Sequence, residues 1–124
     1  MAHNSLSPGD LILRVEIPVQ NRRSAYQQIS EKASFDWALV SCAASARVEG
    51  GKVTQARIAL GSISPVPHLV KAANDFLEGK ELNEETAGQA AELMLQRARP
   101  QRHNGYKIPM ARALIRRTLL QLIA

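Results

Sequence analysis

Cysteine is nearly absent from the 124 residues: Cys42 is the single one, so no intramolecular disulfide can form. With no charged-then-apolar leader behind Met1, the expectation is a reducing, cytoplasmic setting. Aromatic side chains are scarce, at 4% of the chain, which argues against a stacking platform for single-stranded nucleic acid. No apolar run approaches the roughly 20 residues that a membrane span needs, so no membrane partner is expected. His3, His68 and His103 lie too far apart for metal-ligand spacing, and no metal is expected. There is no nucleophile elbow, P-loop or dinucleotide fingerprint, and no pair of carboxylates aimed at a cleft. These absences leave no visible catalytic apparatus.

What is present begins with FDWALVSCAASARVEGGKVTQARIALGSIS, Phe35 to Ser64, which reads as two long strands joined at Gly50-Gly51. A Gly-Gly pair supplies the positive φ of a two-residue hairpin turn. Ahead of it Ala38, Val40, Cys42, Ala44, Ala46 and Val48 share one parity, with Ser41, Ser45 and Arg47 on the other. Beyond it Val53, Ala56, Ile58 and Leu60 alternate with polar residues, slipping once near Gln55, where a bulge fits. The small residues of the first strand predict that something packs closely over it. Because Gly50-Gly51 is followed by a strand and not a helix, it lacks the amide cluster that cradles phosphate.

Upstream, Met1 to Pro8 forms the predicted flexible arm, and Pro8-Gly9-Asp10 a turn. In LILRVEI, Leu11, Leu13, Val15 and Ile17 alternate with Arg14 and Glu16, predicting a half-buried strand closed by Pro18. SAYQQIS predicts another short strand. After Ser64 the period changes, and Pro65 and Pro67, which lack backbone donors, mark the end of any ladder. Helices are predicted over His68 to Leu77, from the cap Asn83 to about Arg97 or Ala98 with cations in its last turn, and from about Ile108 to Leu122 with Pro109 in the first turn. The expectation is a single α+β domain: a three- to four-stranded antiparallel sheet over 9–64 and about three helices over 65–124, packed on one face.

The net charge of +5 is segregated. Acids from Asp75 to Glu92 make the middle negative, and every charged side chain after Glu92 is basic. That pattern favours a protein docking face or a solvated helix face over a groove tracking phosphates. Arg112, Arg116 and Arg117 lie on a helix committed by its apolar side to the core, so no nucleic-acid partner is expected.

The runs ASFDWALVSCAASA, GGKVTQARIALGSISPVP and RPQRHNGYKIPMARALIRRTLL, in that order and spacing, resemble the C-terminal domain of the flavin-binding (medium) subunit of molybdenum hydroxylases. That group includes xanthine dehydrogenase, bacterial aldehyde oxidoreductase and carbon monoxide dehydrogenase. The similarity runs from about Gly9 to Leu122. It implies an electron-transfer role, in which a molybdenum subunit hydroxylates substrate, an iron-sulfur subunit relays electrons, and FAD passes them on. The domain would cover the isoalloxazine and dock the FAD N-terminal domain and the two other subunits, with no turnover alone.

By the same resemblance, Tyr26 is similar to an aromatic beside the flavin ring in some members, and the loop from Ser62 to Lys71 is similar to a segment approaching that ring. A cation at Lys71 would favour a reduced, anionic flavin. The plain alternatives are a tyrosine packed at a strand edge and a solvated lysine. The family carries two glycines where Gly61-Ser62 stands. No Gly-rich loop able to grip a pyrophosphate is present, which implies weak or no FAD binding by this chain alone. A second function class stays open, a free-standing interaction or scaffolding module, homo-oligomeric through an exposed sheet edge or an apolar helix surface and without cofactor. In a fluorescence-anisotropy titration at low salt, mixed-sequence DNA and RNA should stay unbound; an affinity falling steeply with salt would restore the nucleic-acid class.

Overall fold

The computed structural model describes residues 5–124. Its elements run β1 (Arg23–Ile29), β2 (Val40–Glu49), β3 (Lys52–Gly61), β4 (His68–Leu69), α1 (Lys71–Leu77), α2 (Glu84–Leu95) and α3 (Lys107–Leu120). The four strands form one antiparallel sheet in the order β1-β2-β3-β4. Gly50 and Gly51 both have positive φ, as the hairpin between β2 and β3 requires. The bulge is where the broken alternation put it, between the pairs Ser45–Arg57 and Arg47–Thr54. Gln55 takes a left-handed φ of 52° there, so that Gln55 and Ala56 together face Ala46.

One face of the sheet is buried. Val40, Cys42, Ala44 and Ala46 of β2 and Val53, Ala56, Ile58 and Leu60 of β3 meet Leu77, Ala87, Ala90, Ala91, Met94, Ala111, Leu114, Ile115 and Leu119 from the helices. Alanines and a cysteine on β2 let α3 lie close, which is the tight packing their size predicted. α2 begins with a capping box, in which the Thr86 amide donates to Asn83 Oδ1 and the Asn83 amide donates to Thr86 Oγ1. The segregated charges turn out to meet each other: Arg112 pairs with Glu92, and Arg116 with Glu84, across the α2–α3 seam. Two of the seven basic side chains after Glu92 thus find acidic partners in the middle segment. These pairs are exposed, and each contributes under about 1 kcal/mol.

β3 carries a nearly continuous outer edge of hydrogen bonds. β4 pairs with Ala59 and Leu60, Asn74 Oδ1 accepts from the Ile58 amide, and Glu78 Oε2 accepts from the Gln55 amide. Gly79 donates to the Val53 carbonyl, the Val53 amide donates to Lys80, and Leu82 donates to Gly51. That edge is therefore closed against further strands.

Four expectations need correction. Leu11–Ile17 is not a strand: it runs without regular structure, with Leu11, Leu13, Val15 and Ile17 each more than three-quarters exposed. An alternating pattern encodes a face, but a strand also needs a neighbour to bond with, and the described chain supplies none. The hairpin's first strand starts at Val40, leaving Phe35, with φ of 52°, and Trp37 exposed in the β1–β2 loop. His68 and Leu69 pair with β3 instead of opening a helix, because Pro65 and Pro67 lack amide donors but the two residues after them do not. α2 stops at Leu95, so its last turn holds no cation. The expected N-terminal arm falls partly on residues 1–4, outside the described residues; Ser7 to Asp10 form a turn in which the Ser7 amide donates to Asp10 Oδ2.

Cys42 is fully buried, and loss of hydration pushes its thiol from 9.0 up to about 11, with a hydrogen bond to Thr118 offsetting part of the rise. It is a packing residue, with no reactive thiolate near neutral pH. Because the unfolded thiol ionises first, its contribution to stability is intact below about pH 9 and declines by about 1.4 kcal/mol per pH unit up to about pH 11. Urea unfolding at pH 8 and pH 10.5 should show this alkaline loss, reduced in Cys42→Ala relative to its own pH 8 value.

Candidate functional site

With the helices on one side, the opposite face of the sheet is uncovered. Residues paired across an antiparallel sheet share a face, so register identifies what stands there. Tyr26 pairs with Ala43, Ala43 with Ala59, and Ala59 with Leu69, giving one row across all four strands. Its two central members are alanines, and its two outer members are large and about 60% exposed. At the usual strand spacing the row is roughly 14 Å long. The result is an open trough of about 390 Å3, with Ala43 and Ala59 on its floor, Tyr26 and Leu69 as its walls, and Ser24, Ser45 and Arg57 along it.

The Tyr26 hydroxyl donates to Gln28 Oε1 at 3.0 Å, two residues along the same face, which restrains the ring. Ser62 leaves the end of β3 in a left-handed conformation, φ 63°, and its carbonyl accepts from Lys107 Nζ at 3.0 Å. Lys71 opens α1 and pairs with Asp75 at 2.6 Å, both side chains being well exposed. Tyr26 alone of the three lines the trough; Ser62 stands at one end of the sheet and Lys71 just past β4. No hydrogen bond or ion pair joins any two of them.

A smaller cleft of about 160 Å3 lies between the end of α2 and the start of α3, with Met94, Ile108, Arg97 and Lys107 among its lining, and it includes none of the three. Sequence reasoning missed Ala43, Ala59, Leu69 and Arg57. The first two were recoverable, since the Gly-Gly turn and a one-residue bulge together fix the register. Leu69 was not, because Leu69, Ala72, Ala73 and Phe76 equally fit one side of a helix.

Comparison with known proteins decides the family. A family model described as the CO dehydrogenase flavoprotein C-terminal domain matches residues 24–122. The chain belongs to that family. The aldehyde oxidoreductase FAD-binding subunit PaoB of Escherichia coli (strain K12) is similar at 29% identity over 121 residues, 97% of this chain and 34% of that protein. Quinoline 2-oxidoreductase from Pseudomonas putida 86 is similar in structure, with a TM-score of 0.77, 34% identity and coverage of 86% of this chain and 38% of that one. Carbon monoxide dehydrogenase from Hydrogenophaga pseudoflava matches with a TM-score of 0.77 and 29% identity, over 88% of this chain and 39% of that one. The chain thus spans somewhat more than a third of the length of such relatives.

As a CO dehydrogenase flavoprotein C-terminal domain, the chain has the α+β architecture its sequence predicted. Ser62 has a left-handed φ, and a residue with a Cβ is strained in that conformation. Ser62→Gly should stabilise the domain by a net of about 0.5–1 kcal/mol after the greater freedom of unfolded glycine is subtracted. The Lys107 bond, made to a backbone carbonyl, should survive. Urea unfolding checks this, and an unchanged or lower midpoint would contradict it.

Proposed function

We propose that the uncovered sheet face closes over the isoalloxazine end of an FAD whose pyrophosphate is held elsewhere in a molybdenum hydroxylase flavoprotein subunit. The observation that carries this reading is the row Tyr26–Ala43–Ala59–Leu69, a shallow floor of small residues between two large apolar walls. A flat, tricyclic ring system fits such a floor, and an aromatic wall packs against it. The residues suit the ring but not the phosphates, since the Gly50-Gly51 turn opens a strand and so presents no helix N-terminus.

In this reading Tyr26 packs on the ring, held by its bond to Gln28, and the loop beginning at Ser62 borders it. Lys71 supplies a positive charge once it leaves the exposed Asp75 pair, at a cost of under about 1 kcal/mol. Bound FAD supplies the electron-accepting chemistry. The domain excludes water from one side of it and contributes surface for an FAD N-terminal domain, an iron-sulfur subunit and a molybdenum subunit. It has no turnover alone.

A second reading, a self-associating module without cofactor, draws on the outer edge of β1, which pairs with no other strand among the described residues. Sedimentation at several concentrations separates the two, because a persistent homo-oligomer without flavin favours the second. The direct test of the first uses the complete flavoprotein subunit. Tyr26→Ala should shift the flavin absorption bands and weaken FAD binding about tenfold, the size of one aromatic packing contact, while Tyr26→Phe should preserve both. An unchanged spectrum and unchanged reduction kinetics in Tyr26→Ala would remove the tyrosine from the site.

A further inference from the structure

The segment from Leu11 to Ile17 is a strand by sequence and unpaired by structure. Leu11, Leu13, Val15 and Ile17 are 78%, 85%, 79% and 83% exposed, all on one parity. The other parity holds Arg14 and Glu16, which pair with each other at 2.7 Å. Four apolar side chains in a period-two row, opposite a row of Ile12, Arg14 and Glu16 that is charged at two of its three places, are the pattern of a strand with one face covered and one wet. Left in water, that row is also an aggregation hazard.

The comparisons bear on what covers it. The domain match begins at residue 24, after this segment, whereas the match to the Escherichia coli subunit takes in 97% of the chain while covering 34% of that protein. The segment thus lies within the match to that subunit and ahead of the part that the domain model matches.

The junction between the two is built firmly. Arg22 Nη2 donates to the carbonyls of Ser45, at 3.2 Å, and of Gln55, at 2.6 Å. Its guanidinium also bonds Ser45 Oγ and Gln55 Oε1. Ser45 adjoins the bulge and Gln55 lies within it, where the regular ladder is interrupted and carbonyls are free to accept. Arg22 thus fills the gap in the ladder and fixes where the chain leaves the sheet. Beside it an open cleft of about 860 Å3 lies between Ile17–Gln20 and the uncovered face at Ser24, Ser45 and Arg57.

We infer that Leu11–Ile17 is a strand of the neighbouring flavin-binding portion's sheet, and that Arg22, bonded across the bulge, sets how that portion sits over the uncovered face. The partner is the part of a flavoprotein subunit outside the matched third, on the same polypeptide or another. The inference rests on the reading that this domain works beside such a portion, but not on Tyr26 or the trough. Arg22 is a positioning residue.

Hydrogen exchange on the complete flavoprotein subunit tests it. Amides within Leu11–Ile17 should exchange at least a hundredfold more slowly than in an unstructured peptide. Leu13→Asp and Val15→Asp should each abolish that protection, whereas Arg14→Ser on the opposite parity should keep it. Arg22→Ala should leave the segment protected but alter the flavin absorption bands, and Arg22→Lys, which cannot span both carbonyls, should not restore them.

Exchange as fast as in a free peptide would overturn the strand. Protection that rises with the concentration of this chain alone would overturn the partner, since it would mean pairing between two copies. Flavin bands unaltered in Arg22→Ala would overturn the role of the arginine. A subunit whose segment is protected but whose spectrum ignores Tyr26→Ala would support the strand and sink the trough reading. Flavin that responds to Tyr26→Ala beside a freely exchanging segment would do the reverse.

Discussion

Everything in this molecule follows from burying one face of the β2–β3 hairpin. Val40, Cys42, Ala44, Ala46, Ile58 and Leu60 are removed from water by three helices on a single side. The small side chains of β2 decide how near α3 can come, and α3 carries its arginines to the carboxylates of α2. Because all the helices lie on that side, the other face of the sheet has no covering within the described residues. The candidate site is therefore a by-product of layer architecture: what the helices leave bare becomes available to a ligand or a partner.

The bulge gives the bare face its shape. It inserts one residue in β3, and the pairs on either side differ in register by one. If the register set at the turn simply continued, Ala43 would pair with Ile58, and a fully buried core residue would turn to the open face. With the insertion, Ala43 meets Ala59 and both stay on the open side. The same interruption frees the carbonyls of Ser45 and Gln55 that Arg22 takes up. Floor and junction thus share one local irregularity.

The edges divide the molecule's relations with its surroundings. Along β3 the short β4, Asn74, Glu78 and the chain around Gly79 to Leu82 take up the edge groups, so growth of the sheet on that side is blocked. The other side offers the outer edge of β1 and, ahead of it, an apolar strand-like segment. Family membership supplies the context, because relatives of this domain are about three times its length. The domain thus has one closed edge, one bare face and, ahead of β1, an exposed apolar segment without regular structure.

The sequence by itself determined the hairpin, its turn, the position of its bulge, the strand at Tyr26 and the cores of α2 and α3, because periodicity and capping are local properties. Asn83 with Thr86, and the parity of Cys42 with Ala44, needed no distant information. The family resemblance was also legible, carried by three ordered blocks. What tertiary structure alone decided was whatever depends on a neighbour: that Leu69 belongs to a strand because β3 has an edge to offer, that acidic and basic helices meet, and that Tyr26 and Leu69 wall the same trough. The segment at Leu11 shows the reason most plainly. Alternation specifies which face of a strand is to be buried, but the hydrogen bonds that make it a strand come from another piece of chain.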